Sequence, residues 1–214
     1  VALIIATWIW GSKYTADYVG KLARGIRRNM RTPYRFIVAT PQWEDEWLTQ
    51  APGCLARLRM FDPHWQHRQG LRQGDRLVTI DLDVVITGDL SPLFDLDASF
   101  VILGGANAAN PCPYNGSIMM LTCGEHAQVW CDFSLEAIRQ VPFYEFPDDQ
   151  AWLAHKLPGA VTWRVGASSG IYAFKKPGWP RDDRLPADAR MVVFPGWRDP
   201  AKFTRLSWVQ RHWI

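Results

Sequence analysis

Arg76-Leu77-Val78-Thr79-Ile80-Asp81-Leu82-Asp83-Val84-Val85-Ile86-Thr87-Gly88-Asp89-Leu90 is the run on which the reading of this chain turns. Its first five residues are largely apolar and branched, which suits a strand covered on both faces. The strand ends in two aspartates one residue apart. In an extended chain such residues point to the same side, toward a point beyond the sheet edge. Ligands of open α/β sheets bind at that edge. Carboxylates are hard oxygen donors suited to Mn²⁺ or Mg²⁺, and a cation held there can neutralise a diphosphate leaving group. A bare Asp-x-Asp occurs by chance in many chains. Here the apolar run Val84 to Ile86 and the turn Gly88-Asp89 follow it and give it a structural context.

Upstream, Val1 to Thr7 is a continuous apolar run that predicts a buried strand. Tyr18, Leu22 and Ile26 repeat every four residues between Thr15 and Asn29, a helical spacing that Thr32-Pro33 closes before Tyr34 to Ala39 resumes as a strand. Leu55, Leu58 and Phe61 suggest a short helix ended by Asp62-Pro63. Downstream, strands are expected at Phe100 to Leu103, Ser117 to Leu121, Val161 to Val165, Ile171 to Phe174 and Met191 to Phe194. Helices are expected at Glu125 to Gln140, with Trp130, Phe133 and Ala137 on one face, and at Asp149 to Lys156. Lys175 to Ala189 reads as a polar loop. The β-α-β order predicts an α/β fold with a mostly parallel central sheet. With no repeat, low-complexity tract or linker, residues 1–214 read as one domain.

A net charge of +3 is too slight to announce a nucleic-acid binder. Lys21, Arg24, Arg28 and Arg31 share one side of the first helix; this stripe reads either as a solvated face or as a contact for acidic lipid head groups or an anionic acceptor. The four cysteines form no Cys-x-x-Cys pair and lack histidines at zinc spacing, so reduced thiols and a cytoplasmic setting are expected. The apolar opening is short and has neither a basic leader nor a cleavage site. No stretch approaches the roughly 18 apolar residues of a membrane span. Twelve Trp are several times ordinary usage, and such rings serve either core packing or stacking on sugar and base faces.

The Arg76–Leu90 run resembles the signature of family 8-like glycosyltransferases, in which a Rossmann-like GT-A fold presents Asp-x-Asp to a nucleotide-sugar and Mn²⁺. Further stretches are similar to that family in the expected order. Gly11 to Val19 resembles its base-facing loop and helix, and Arg57-Leu58-x-x-Phe61 its Lys-Leu-x-x-Phe helix. Tyr114-Asn115-Gly116-Ser117-Ile118-Met119 resembles its Phe/Tyr-Asn-Ser-Gly-Val-Met strand entry, and Asp149-Gln150-x-x-Leu153 its Asp-Gln-x-x-Leu motif. The resemblance implies a hexosyltransferase using Mn²⁺ or Mg²⁺, with a UDP-sugar favoured as donor and a glycan or lipid-linked acceptor. A lipid-linked acceptor would place it at the inner face of the membrane.

By the same resemblance Asp83 binds the metal directly and Asp81 reaches metal or ribose. Thr7, Tyr14 and Tyr18 lie toward the donor where the first strand delivers its loop, the tyrosines beside the base. Arg57 either approaches phosphate or sugar or serves in a surface salt bridge, and Asn115 and Gly116 meet the donor sugar. Asp149 holds sugar hydroxyls and Gln150 sits near the anomeric carbon. Trp197, Trp208 and Trp213 crowd the carboxyl end, where family members close over the donor, and are candidates for an acceptor-stacking wall.

The chain also departs from that pattern. The family's third metal ligand is a His shortly before a Gly near the carboxyl end, but Val193-Phe194-Pro195-Gly196-Trp197-Arg198-Asp199-Pro200 supplies none. Gly196 remains as the donor-facing glycine. Either the metal is held more weakly or Asp199 ligates in place of the His, with Arg198 or Lys202 neutralising phosphate. Two other readings stand beside the transferase. A haloacid dehalogenase-type phosphatase would use Asp81 as nucleophile, although no Lys lies between Asp83 and Asp149 to steady the phosphorylated aspartate. A GT-A-like module could bind nucleotide or glycan without turnover.

Overall fold

Apolar strands alternate with helices through the first eighty residues. β1 (Leu3–Trp8), α1 (Ala16–Asn29), β2 (Arg35–Ala39) and β3 (Arg76–Ile80) follow in that order. Between β2 and β3 lie α2 (Glu46–Gln50), a 3₁₀ helix over Leu55–Phe61 and α3 (Pro63–Arg68). The remainder comprises β4 (Val85–Ile86), β5 (Phe100–Gly104), β6 (Tyr114–Thr122), α4 (Gln128–Cys131), α5 (Leu135–Ile138), α6 (Asp149–Lys156), β7 (Val161–Arg164), β8 (Ile171–Ala173), β9 (Met191–Val193) and α7 (Ser207–His212). The computed structural model describes residues 1–51, 53–106, 111–143 and 147–214.

The main sheet has the order β2-β1-β3-β6-β5-β7, with β6 alone running against its neighbours. It is covered on both faces. Ile4, Leu77, Met119 and Leu121 pack to one side with Phe61, Trp65 and Trp152, while Ile5, Val78, Ile118 and Met120 pack to the other with Leu22, Ile26 and Trp163. Burial on both faces is why these strands read as unbroken apolar runs.

The apolar run after the aspartates does not extend the main sheet. Val85–Ile86 pairs antiparallel with β9 in a second sheet of order β4-β9-β8. Asp81 to Val84 therefore forms the crossing between two sheets, which carries the acidic pair out of both ladders. α1 backs this crossing. A Cβ on Gly25 would lie 3.2 Å from Ile86 Cβ, so the glycine sets how closely helix and strand approach.

Several expectations are corrected. The helix read over Glu125 to Gln140 is broken into α4 and α5, because the Ser134 hydroxyl accepts from Ala137 N at 3.0 Å and starts a new helix. The Leu55–Phe61 helix is 3₁₀, entered through Cys54 in the left-handed region at φ 56°. Trp208 and Trp213 do not form a stacking wall: both are buried in a third apolar cluster with Phe174, Phe194 and Val209. The basic stripe on α1 is engaged by the protein itself. Lys21 pairs with Asp17 at 2.7 Å and lies over the Trp213 ring, Arg24 and Arg28 donate to the Ile214 and His212 carbonyls, and Arg31 pairs with Asp89. The contacts of Lys21 with Trp213 and of Arg24 and Arg28 with the last carbonyls hold α7 and the residues after it against α1, whereas Arg31, two residues past α1, is tied to Asp89. Among the described residues no helix is long and apolar enough to cross a membrane.

Candidate active site

A cleft of about 320 Å³ opens at the carboxyl ends of β1 and β3, the scale of a small-molecule site. Asp81, Asp83, Tyr14, Arg57, Asn115, Gly116, Asp149, Gln150 and Gly196 all line it. Residues from six separate stretches of sequence thus converge on one cavity.

β6 shapes the inner wall. Between its pairings Ile102↔Met119 and Leu103↔Asn115, β5 advances one residue while β6 advances four. Such a bulge re-aims the chain beside a site. Gly116 has left the ladder, and side chains take its backbone groups instead: Gly116 N donates to Gln150 Oε1 at 2.9 Å, and Gly116 O accepts from Arg57 Nη1 at 3.0 Å. Asn115 Oδ1 accepts from Ser117 N at 3.1 Å and secures the turn. Asp81 stays registered with this wall, its N–H donating to Ser117 O at 3.0 Å.

Arg57 joins the acidic groups. Its Nη1 lies 2.5 Å from Asp81 Oδ1, and its Nε and Nη2 reach Asp149 Oδ2 at 2.8 and 2.7 Å. The guanidinium fits because position 116 has no side chain: a Cβ there would stand 2.5 Å from Arg57 Nη2. The sequence left Arg57 between donor phosphate or sugar and a surface salt bridge; the structure pairs it with two carboxylates, and the pairing is buried. Asp149 is 1% exposed and, among the described residues, its Oδ1 has no hydrogen-bond partner. Burial pushes its carboxyl up to about 7, with Arg57 pulling the other way. A buried polar atom left unpaired costs on the order of 1–3 kcal/mol, so a cleft-lining carboxylate with an idle oxygen calls for a donor from outside the protein.

Asp83 is held differently. Tyr14 donates its hydroxyl to Asp83 Oδ2 at 2.6 Å, and Lys13 Nζ stands 4.0 Å from the same oxygen. Burial and the neighbouring Asp81 push the Asp83 carboxyl up to about 6. Two adjacent carboxylates that resist sharing negative charge are suited to a divalent cation, and Mg²⁺-type sites often take only one or two carboxylates with substrate phosphates completing the shell. The donor set therefore fits the expected metal, through Asp81 and Asp83. Among the described residues no group of three or more His, Cys, Asp or Glu side chains is placed to hold a metal. Asp199 is occupied elsewhere: its Oδ1 accepts from Tyr18 at 2.9 Å and from Ala201 N at 2.8 Å, capping the 3₁₀ helix Pro200–Phe203.

Three predicted site residues stand outside the cleft lining. Thr7 is fully buried and donates its hydroxyl to Ile80 O at 2.8 Å, locking the ends of β1 and β3 together. Tyr18 packs behind Tyr14, edge-on to Trp213. Arg198 lies over the Trp197 ring and donates to Pro195 O.

Sequence reasoning missed several cleft residues. Asp148 caps α6 through Ala151 N at 2.9 Å and holds the Gln150 amide at 2.7 Å. Gly53 presses against Asp148, where a Cβ would meet Asp148 Cα at 2.7 Å, and its carbonyl accepts from Asp149 N at 2.9 Å. Asp148 was legible as an N-cap acid before a helical run; Gly53 and Trp10 carried no such signal.

The sequence matches no family model and no curated protein. Solved structures do match. The glycosyltransferase GlyE of Streptococcus pneumoniae TIGR4 superposes with a TM-score of 0.62 at 12% identity, over 98% of this chain and 63% of that one. The galactosyltransferase LgtC, solved with donor and acceptor sugar analogues, gives 0.58 at 12% identity over 100% and 97%. A glycosyltransferase involved in glycosylating the major capsid of PBCV-1 gives 0.54 at 14% over 92% and 95%. The chain thus spans less than two thirds of GlyE. The sheet order, the reversed β6 and these superpositions together establish that the chain has the GT-A glycosyltransferase fold.

Proposed function

We propose that the chain is a metal-dependent glycosyltransferase that moves a hexose from a nucleotide-diphosphate sugar, UDP-linked in the favoured case, to a glycan or lipid-linked acceptor. One observation carries the reading: a single cleft joins the acidic pair Asp81/Asp83 to Asp149, whose Oδ1 has no partner among the described residues. Asp81 and Asp83 would hold Mn²⁺ or Mg²⁺. When bound, the metal would act as a Lewis acid on the departing diphosphate.

The protein's own groups account for the rest. Tyr14 orients Asp83, and Lys13 adds positive charge at the cleft mouth where phosphate would enter. Asp149 Oδ1 can accept a sugar hydroxyl, and its carboxylate, with the Gln150 amide beside it, can stabilise positive charge developing at the anomeric carbon. Asn115, at the bulge of β6, lines the cleft where the sugar would lie, while the space left by the absent side chain of Gly116 is filled by Arg57. The phosphatase reading is not favoured, since the matched folds are transferases and the cation beside Asp81 is an arginine. A lipid-linked acceptor would bring the chain to the cytoplasmic face of a membrane.

Thermal shifts with UDP, GDP and CDP, with and without Mn²⁺, test this, because a ligand that binds only the folded state raises the melting temperature. A rise with one nucleotide that requires Mn²⁺ is expected, followed by metal-dependent release of sugar from the matching donor. No shift with any of the three would remove the proposal.

A further inference from the structure

Trp152, Trp163 and Trp208 are buried, and each donates its indole N–H to a backbone carbonyl, of Val129, Leu93 and Asp183, at 2.8, 3.1 and 3.0 Å. Trp8 departs from that pattern. It is 7% exposed, its ring stacks on Trp65 at 5.2 Å, and among the described residues its Nε1 has no partner. The stack accounts for the ring but leaves the N–H without an acceptor, a destabilising state for a buried donor.

Five buried side-chain atoms lack a partner among the described residues, and two of them belong to residues that line the cleft: Trp8 Nε1 and Asp149 Oδ1. Their chemistry is opposite. An indole N–H only donates, and an ionised carboxylate only accepts. A hydroxyl group does both, and a sugar carries hydroxyls on neighbouring carbons. We infer that Trp8 and Asp149 together form a hydroxyl-reading subsite for the hexose of the nucleotide-sugar, with Trp8 Nε1 donating to a hydroxyl oxygen and Asp149 Oδ1 accepting from a hydroxyl. The inference rests on the transferase reading and adds to it a residue that selects the sugar.

The fold puts both residues on one side of the main sheet. Ile4, Ala6 and Trp8 alternate along β1 and face one apolar cluster. The 3₁₀ helix that bears Arg57 packs into the same cluster through Leu55 and Leu58, and α6, which begins at Asp149, through Trp152. Tyr14, which holds Asp83, packs with the cluster on the other face. Trp8 therefore stands with Arg57 and Asp149, apart from the Tyr14 contact where metal and diphosphate would enter. Arg57 takes Asp149 on Oδ2 alone, through both Nε and Nη2, so Oδ1 stays open to a ligand.

Water can serve both atoms in an empty cleft. A sugar that displaces it must return the same bonds. A hexose with hydroxyls at those positions is then kept, whereas one with hydrogen in their place leaves a buried donor or acceptor unpaired and is rejected.

UDP-glucose and UDP-galactose with Mn²⁺, or the GDP or CDP sugars if the nucleotide screen selects those bases, test the inference together with their monodeoxy analogues. The parent should turn over at least one monodeoxy analogue on the order of 10²-fold more slowly than the full hexose. Trp8→Phe removes the N–H and should narrow that gap by about tenfold, while the bare nucleotide binds as before. If the smaller ring prevents folding, benzothienylalanine at position 8 keeps the shape of the indole without its N–H, and its melting temperature should hold because no partner within the protein is lost. An equal gap in parent and variant, a parent that treats all analogues alike, a bare nucleotide weakened as much as the nucleotide-sugar, or a lowered melting temperature for the benzothienyl protein would each overturn the role of Trp8. If no nucleotide binds the parent, the transferase reading fails and the subsite with it; nucleotide binding with an unchanged gap removes Trp8 alone.

Discussion

On one wall of the cleft Arg57 grips Asp81, Asp149 and the Gly116 carbonyl from inside the protein, and Gln150 closes the set through Gly116 N. On the other wall Asp83 leans on the hydroxyl of Tyr14 and the distant ammonium of an exposed Lys13. The first wall is a buried ion network in which each member needs the others, because a desolvated charge without its partner is expensive. The second can exchange its contacts with an incoming ligand at little cost. The difference suggests a division of labour: geometry is fixed where the sugar would lie, and adaptability is kept where metal and diphosphate would enter.

Removing Arg57 should break the first wall most severely. At pH 8, Arg57→Ala leaves Asp149 buried and unpaired, and stability should fall by about 3–5 kcal/mol. Denaturant unfolding checks this, and a loss below about 1 kcal/mol would mean that the network is not structural. Asp83→Asn should do the reverse. The Mn²⁺ dependence of nucleotide binding should vanish and turnover fall on the order of 10²-fold or more, while the melting temperature holds or rises because repulsion with Asp81 is relieved. Donor turnover against Mn²⁺ concentration reads the first effect and circular dichroism the second.

Gly116→Ala sharpens the comparison, since it adds one methyl to the rigid wall. The new Cβ would meet Arg57 Nη2 at 2.5 Å, and two carboxylates hold that guanidinium in place. A loss of about 1–3 kcal/mol is expected, as for other overpacked sites. An unchanged unfolding midpoint would show that the wall yields.

The last test is a pH dependence, spread over several pH units. Asp149 titrates near 7 in the folded protein against 3.8 ordinarily, so the folded chain holds a proton that the unfolded chain releases. Its contribution to stability is complete below about pH 4 and is lost as pH rises through 7. The melting temperature of the parent should therefore fall relative to Asp149→Asn across that window. Parallel curves for the two proteins would place the carboxyl in its ordinary range.

The fold was legible because its signals are local: branched apolar runs, a four-residue helical repeat and Pro or Gly at the ends. Where the reading failed, a local polar group or a distant partner had decided. Ser134 interrupts a good helical pattern with its own hydroxyl, and the strand read at Val84 to Ile86 finds in β9 a partner that the sequence did not name. The cleft was legible in its acids, which stand at strand and helix ends. The depth at which Arg57 bridges Asp81 and Asp149 could not be read, because it depends on residues far apart in sequence that meet only after folding; for the carboxyl-terminal tryptophans core packing stood open beside stacking, and Trp208 and Trp213 took the core.

The pairing of β4 with β9 also bears on how the protein is made. Val85 leaves the ribosome 106 residues before its partner strand begins at Met191, which is roughly 5 to 20 seconds at ordinary elongation rates. Through that interval the acidic crossing has no second sheet to lean on, and Val84 to Ile86 is an apolar segment without its ladder. Nascent chains stalled before residue 191 should be cut by protease at this segment, and chains stalled far enough past residue 214 to fold should resist. The acidic end of the cleft would then be among the last parts of the molecule to mature, although Asp81 and Asp83 are made early.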